Sequence, residues 1–220
     1  LAAALAAHLG RRKVDEFTRL DDAGEILRDA GAELHAAVGV DRGEKRDGAA
    51  ELVLERLTPD LPRQESLSQS PTGEGKEEAF VPDYVLNPEL PMPEREIDGQ
   101  SYIGVLDIPA LGLSLPIIST WSYPGLQIAP CRYSGSAYLE NLVIAGHNYR
   151  SHFASLPQLQ PGDAVTFTDM DGNVFRYKVD SLETLSPYAI SDMTSGGWPL
   201  TLFTCTVGGQ SRLAIRCSAG

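Results

Sequence analysis

The stretch TLFTCTVGGQSRLAIRC, residues 201–217, carries a thiol and two guanidinium groups on either side of a glycine pair. If the glycines at 208–209 form a two-residue hairpin turn, for which their tolerance of positive φ suits them, Cys205 directly opposes Arg212. Opposed residues of an antiparallel pair point to the same face, with Cβ atoms about 4.5–5.5 Å apart. Arg216 points to that face as well, but it lies four residues further along the strand, roughly 13 Å away. The spacing therefore predicts that Arg212, and not Arg216, lies beside the Cys205 thiol.

The best candidate for a third reactive group is His147, which ends the apolar run NLVIAGH directly after Gly146. Functional side chains often lie at strand ends, because a rigid scaffold holds them there. An imidazole near a thiol can accept and donate the protons that a cysteine nucleophile requires. Taken singly, residues of these types are more often structural, so the hypothesis of a Cys-His-Arg site depends on their meeting. His152, at a predicted helix start, is interpreted as a surface or capping residue.

Strand periodicity predicts which face of this hairpin is buried. If Cys205 and Arg212 share one face, the opposite face is mostly apolar and should line the core. We expect Cys205 on the outer face or in a groove, where a substrate can reach it. Cys217 belongs to the other face and is predicted to be buried and inert. The residues of that core face are Leu202, Thr204, Leu213, Ile215 and Cys217.

The composition excludes several classes of function. The formal net charge of −12 argues against nucleic acid as a partner, because proteins that bind its backbone present a basic surface. Three cysteines are an odd number, and none has a nearby second cysteine, so neither a disulfide-stapled domain nor a zinc site is expected. We expect no cofactor and no metal. No stretch is long and apolar enough to span a membrane. The opening LAAALAAHLG fits either the end of an anchor that lies upstream or the start of an Ala-rich helix.

Three zones differ in composition. Residues 1–57 show helical spacing of apolar residues and are predicted to form a helical N-terminal extension. Residues 58–98 hold seven of the 15 prolines and form an acidic linker, or a strap that lies over something. Residues 99–220 are rich in β-branched and aromatic residues between turn formers, which predicts a mainly β domain. Seven or eight short strands in that length indicate a closed or nearly closed barrel, with short connecting helices near 151–159 and Tyr188.

The motifs of this β domain resemble those of sortases, the cysteine transpeptidases of Gram-positive surfaces. TLFTC followed seven residues later by Arg212 is similar to the active-site strand pair of that family, and NLVIAGHNY is similar to its histidine strand. YIGVLDIPALGLSLPI and LQPGDAVTFTDMDGNVFRYKVDSLETL resemble other strands of the same fold. The resemblance covers about residues 100–217, with the motifs in the family's order. GHN and the helical extension are similar to class B sortases, although the stretch between 185 and 198 is shorter than usual there.

This resemblance implies an eight-stranded sortase-type β-barrel and gives each candidate residue a role. Cys205 becomes the nucleophile, His147 the acid and base, and Arg212 the group that stabilises the oxyanion. Thr204 and Ser211 are expected to help line the substrate groove. The implied substrate is a surface or pilin protein with a C-terminal LPXTG-type sorting signal, and the acceptor is an amine of a cell-wall precursor or a pilin lysine. The implied location is the extracellular face of the cell membrane, with an N-terminal anchor.

Alternatives to this assignment remain. A Cys-His peptidase would share the first half-reaction and could use Asn148 or Asn141 to orient the histidine. A non-catalytic surface β-barrel module would keep Cys205 as a structural residue. The acidic segment 58–98 could lie across the Arg-bearing groove and restrain it, or could serve only as a stalk. Pilin-type sortases carry a lid with an Asp-Pro-aromatic motif, of which PDY at 82–84 is a conceivable variant.

Overall fold

A computed structural model describes residues 53–57 and 81–220. The rest of the predicted helical extension and residues 58–80 of the acidic segment lie outside the described residues. None of the helices in the described part of the chain is both long and apolar enough to cross a membrane.

The described chain is mainly β and contains nine strands. Their sequences are dominated by Val, Ile, Leu, Thr and aromatic residues, which suit a pleated and half-buried surface. The strands are β1 (Arg95–Ile97), β2 (Gln100–Ile108), β3 (Leu113–Ile118), β4 (Cys131–Ser134), β5 (Leu142–Ala145), β6 (Ala164–Asp169), β7 (Val174–Leu185), β8 (Leu200–Cys205) and β9 (Arg212–Ala219). Within residues 81–220 three short α-helices accompany them: α1 (Asp83–Leu86), α2 (Tyr123–Leu126) and α3 (Ile190–Thr194). Leu156–Gln158 and Pro109–Leu111 form 3₁₀ turns.

Eight of these nine strands close into a barrel, as predicted. The strand order is β1-β2-β3-β4-β5-β8-β9-β7-β6, and β6 pairs back onto β2. The closing register places Gly104 opposite Asp169. β1 pairs antiparallel with the first residues of β2 and lies outside the closed ring. Each of the eight strands has a neighbour on both sides, although β3 and β4 pair only at Ile118 and Cys131.

The two faces of the β8–β9 hairpin separate as the periodicity predicts. Leu202 and Cys217 are fully buried in the main core. Phe203 and Ala214 belong to a different cluster on the other face of the sheet, where Met193 of α3 covers them. Cys205 lies two residues after Phe203 on the same strand and therefore on the same face, so its side chain lies outside the barrel core.

Residues of the predicted acidic segment that are described pack against the barrel. Met92 is buried in the main core, and Tyr84 of α1 stacks on Tyr138 with ring centroids 4.5 Å apart. The helical residues 53–57 place Leu57 in a second apolar cluster under β2 and β3. The division of the chain at residues 57 and 98 stays a prediction. Within residues 81–98, Tyr84 and Met92 pack against the barrel.

The DMDGN stretch, residues 169–173, forms the turn from β6 to β7. The Asp169 carboxylate is fully buried and accepts hydrogen bonds from the backbone N–H groups of Asp171 and Asn173. It also accepts from the Tyr138 hydroxyl at 2.7 Å and from the Asn173 amide at 2.9 Å. Gly172 has φ +83°, which an L side chain rarely adopts. These bonds fix the turn next to the closing seam of the barrel.

The closing seam predicts a large effect for one small substitution. A Cβ at Gly104 would collide with the Thr168 carbonyl oxygen and lie 2.6 Å from the Phe167 ring. Because β2 and β6 cannot separate without opening the barrel, we expect Gly104→Ala to lower the free energy of unfolding by about 1–3 kcal/mol. Urea unfolding measures this, with Ser114→Ala on the exposed side of β3 as the control, expected within about 0.5 kcal/mol of wild type. Equal stability of the two variants would contradict this account of the seam.

Candidate active site

The β8–β9 hairpin brings a thiol and a guanidinium together. Cys205 pairs with Arg212 across the two strands, which confirms the predicted register. The predicted two-residue turn is wrong, because the hydrogen-bonded turn joins Gly209 N–H to the Thr206 carbonyl at 2.8 Å. Residues 207–210 form the loop, and Gly208 has φ +83° within it.

Thr206 and Ser211 hold the register at the base of that loop. The Thr206 N–H donates to the Ser211 carbonyl at 3.0 Å, and the two hydroxyl oxygens are 2.9 Å apart. The observed loop and the predicted two-residue turn both leave Thr206 opposite Ser211, so Cys205 is opposite Arg212 in either case. The Ser211 hydroxyl is thus engaged within the hairpin, and its expected role in lining the groove stays a prediction.

His147 reaches the same place from the neighbouring strand. β5 runs parallel to β8, with Ala145 opposite Phe203, and the Gly146 N–H donates to the Phe203 carbonyl at 3.0 Å. Two residues further along this register His147 comes level with Cys205 and on the same face. Adjacent strands lie about 4.8 Å apart, so β5, β8 and β9 present His147, Cys205 and Arg212 in one row.

A turn after β5 fixes the backbone of His147. Its carbonyl accepts a hydrogen bond from the Phe153 N–H at 2.9 Å. The Phe153 ring packs so closely on Gly146 that a Cβ there would collide with it. The His147 side chain is 4% exposed. It stacks on Tyr149, with centroids 4.4 Å apart and planes at 20°, and meets Tyr123 edge-on.

The three side chains line one pocket, which we call the cysteine pocket. Its apolar wall comes from the β3–β4 connection and from the outer face of β8. Cys205 is half-buried there, whereas Arg212 is only 3% exposed. The lining residues besides His147, Cys205 and Arg212 are Trp121, Tyr123, Leu126, Ala145, Gly146, Phe203 and Thr204.

Burial and charge act in opposite directions on the Cys205 thiol. Burial raises its pKa, and the Arg212 guanidinium lowers it, with burial the larger effect. Burial raises the pKa of Cys131 and of Cys217 to about 12. Both of these cysteines are buried, as predicted for Cys217. Cys205 is the half-exposed thiol among the three and has a cation beside it.

Comparison with known proteins identifies the family. The family model for the sortase domain matches residues 106–219, just over half of the 220-residue chain. The chain belongs to the sortase family. A comparison with curated proteins finds no significant match.

Three solved structures similar to this sortase are described as sortase C1 of GBS pilus island 1, pilus-related sortase C of group B Streptococcus, and sortase C from Clostridium perfringens SM101. Their sequence identities are 23%, 25% and 23%, with TM-scores of 0.49, 0.49 and 0.48. The matches cover 57%, 57% and 65% of this chain, and 66%, 69% and 77% of theirs. This chain thus spans slightly less than two thirds of the first structure. The expected class B subclass stays a prediction.

The two arginines of β9 have different environments in this sortase. Arg216 forms an ion pair with Glu183 at 2.9 Å and donates to Thr201 Oγ1 and to the carbonyls of Met193 and Asp192. These bonds tie α3 to the barrel wall. Arg212 donates from one nitrogen to the carbonyls of its own hairpin loop, and no ion pair is found for it within residues 53–57 and 81–220. Arg212 therefore retains donors for a ligand in the cysteine pocket.

One wall of the cysteine pocket was not predicted from the sequence. The apolar wall of Trp121, Tyr123 and Leu126 belongs to the β3–β4 connection, where the Ser122 hydroxyl caps α2 by accepting from the Gly125 N–H at 3.0 Å. The sequence signal for this element is the SYPG stretch, a serine N-cap followed by proline in the first turn.

His152 and Asn141 have environments that differ from those expected from the sequence. His152 is 3% exposed, so its interpretation as a surface residue is wrong. Its Nε2 lies 3.3 Å from the Ile128 carbonyl, which connects the turn after β5 to the chain after α2. Asn141 lies at the far end of β5 from His147, and its side chain accepts from the Ser136 N–H. Its position excludes Asn141 as the group that orients the histidine.

The PDY stretch at 82–84 lies against a different cavity. Tyr84 lines that cavity together with Tyr138 and Asp171, none of which lines the cysteine pocket. No side chain among residues 81–98 contributes to the cysteine pocket. The described part of the acidic segment therefore gives no support for a strap over Cys205, and residues 58–80 lie outside the described chain.

The two arginines give a matched pair of stability predictions. We expect Arg216→Met to lower the free energy of unfolding by about 2–4 kcal/mol, because it leaves buried acceptors without a donor. We expect Arg212→Met to change it by less than about 1 kcal/mol, because no ion pair is lost. Urea unfolding of both variants tests this. Equal losses would mean that Arg212 is also a structural residue.

The charge beside the thiol predicts the pH dependence of Cys205 alkylation. Because Arg212 lowers the pKa of Cys205, Arg212→Gln should raise that pKa and reduce the thiolate fraction at any given pH. The midpoint of the iodoacetamide rate against pH should therefore move upward. Arg176→Gln, on the exposed side of β7, is the control, and Cys205→Ala gives the background from the buried thiols. An unchanged midpoint in Arg212→Gln would show that the guanidinium does not act on the sulfur.

Proposed function

We propose that this sortase is a cysteine transpeptidase that cleaves a C-terminal LPXTG-type sorting signal and transfers the protein to an amine. The observation that supports the proposal is that His147, just beyond β5, lines one pocket with Cys205 of β8 and Arg212 of β9. The substrates would be surface or pilin proteins, and the acceptor an amine of a cell-wall precursor or a pilin lysine. The work would take place at the extracellular face of the cell membrane.

The first half-reaction forms a thioester. The Cys205 thiolate attacks the scissile carbonyl carbon, so an S–C bond forms and the carbonyl oxygen takes up the negative charge. Arg212 cannot accept a proton, but its unengaged N–H groups can donate to that oxyanion. His147 as imidazolium gives its proton to the departing amine nitrogen, and the C–N bond breaks.

The second half-reaction reverses these roles with a new amine. The incoming amine attacks the thioester carbonyl and gives a proton to neutral His147. The S–C bond breaks, and Cys205 leaves as a thiolate beside Arg212. Water in place of the amine would give hydrolysis, so access of the acceptor decides between transfer and hydrolysis. The apolar wall of Trp121, Tyr123 and Leu126 supports binding of an extended peptide with apolar side chains.

The burial of Cys205 has a consequence for this mechanism. Since burial raises the pKa of its thiol, the thiolate is a minor form near neutral pH. The reactive form needs the Cys205 thiolate and a protonated His147 at the same time, so only a minor fraction of the protein is reactive near neutral pH. Arg212 acts in the first step twice, by favouring the thiolate and by stabilising the oxyanion.

The test is mass spectrometry of the protein incubated with an LPXTG-type peptide library and a glycine or lysine amine. We expect a peptide–amine product from wild type, and a loss of at least about 100-fold in Cys205→Ala, His147→Ala and Arg212→Ala. Cys217→Ala and Arg176→Ala are the matched controls and should retain product formation. Hydrolysis without transfer, with or without amine, would favour a peptidase. No product from wild type, together with slow alkylation of Cys205, would return Cys205 to a structural role.

A further inference from the structure

The His147 imidazole is one of four rings that follow one another beside the cysteine pocket. Its face lies 4.4 Å from the Tyr149 ring at an interplanar angle of 20°, which is a stacked arrangement. The Tyr123 ring of α2 meets it edge-on at 6.2 Å. The His152 ring lies next to Tyr149, with ring centroids 5.6 Å apart and an interplanar angle of 45°. Such contacts restrict the imidazole to a narrow range of orientations, because aromatic pairs have preferred geometries.

Tyr149 is itself fixed by its backbone and by its neighbours. Its carbonyl accepts from the N–H groups of His152 at 3.0 Å and Ala154 at 3.0 Å, which closes a tight turn directly after β5. The His152 ring, 3% exposed, reaches the Ile128 carbonyl beyond α2. The turn is thereby held at both ends, which fixes the backbone that carries the half-buried Tyr149 ring against His147.

We propose that Tyr149 is a positioning residue for His147, holding the imidazole by the face of its ring so that the proton-carrying nitrogen stays in register with Cys205. This inference rests on the proposed function. It assigns the effect to the ring and not to the hydroxyl, since the contact is face to face. Backbone bonds fix the main chain of His147 just beyond β5, and the stack on Tyr149 acts on its side chain.

The proposal predicts different results for two substitutions of the same residue. Tyr149→Phe keeps the stacked ring and should keep kcat within about twofold of wild type. Tyr149→Leu removes the ring and should lower kcat about tenfold, equivalent to about 1.4 kcal/mol, with KM changed by less than about twofold. Tyr188→Leu, at a tyrosine that is 68% exposed, is the matched control and should behave as wild type. An equal loss in Phe and Leu variants, or no loss in Leu, would overturn the proposal.

A spectroscopic measurement decides the inference independently of activity. In wild type, the NMR signals of the His147 imidazole protons should be shifted upfield by the ring current of Tyr149, with His147→Gln used to assign them. Tyr149→Phe should retain the shift and Tyr149→Leu should lose it. Unshifted signals in wild type would overturn the inference, even if the Leu variant failed to fold. If wild type gives no peptide–amine product but shows the shift, the proposed function fails while the positioning of His147 by Tyr149 stands.

Discussion

The shared strand β8 is the constraint on which the site depends. One edge of β8 pairs parallel with β5, and the other pairs antiparallel with β9. The first pairing brings the end of β5, and with it His147, level with Cys205, and the second places Arg212 opposite the thiol. Because side chains alternate with period two, a slip of one residue in either pairing would turn a reactive side chain into the core. The apolar residues that alternate with Cys205 and Arg212 therefore also determine that these two side chains lie outside the core.

The same burial that builds the cysteine pocket disfavours the thiolate form of Cys205, the proposed nucleophile. The wall of the cysteine pocket raises the pKa of Cys205, and Arg212 only partly compensates for this. Arg212 is as buried as Arg216, yet Arg216 has a carboxylate and several other acceptors, while the acceptors found for Arg212 in the described chain are loop carbonyls. A buried guanidinium without a full set of acceptors is costly for stability. In the proposed mechanism the oxyanion of the substrate would accept the remaining hydrogen bonds of the Arg212 guanidinium and so offset this loss of stability.

Features that depend on local patterns were predictable from the sequence. β3, β6 and β8 have the bounds that their runs of β-branched and aromatic residues indicate. The pairing of Cys205 with Arg212 was predicted although the turn was not, because the wider loop held by Thr206 and Ser211 preserves the same register. The sequence does not indicate β4, because CRYS is short and mixed in character and its strand exists through pairing with β5. The same holds for β1, which depends on pairing with β2.

What the sequence could not supply are contacts between segments that are distant in the chain. Tyr123 and His147 meet because α2, after β3, folds over the end of β5, and no periodicity of either segment encodes that meeting. The burial of His152 has the same origin, since its partner is the Ile128 carbonyl. The strands thus bring Cys205 and Arg212 together, and the two connections after β3 and β5 supply the rings that contact His147 and the apolar wall of the cysteine pocket. Variation among proteins of this fold should therefore act on substrate choice through those connections, while the β5–β8–β9 row stays unchanged.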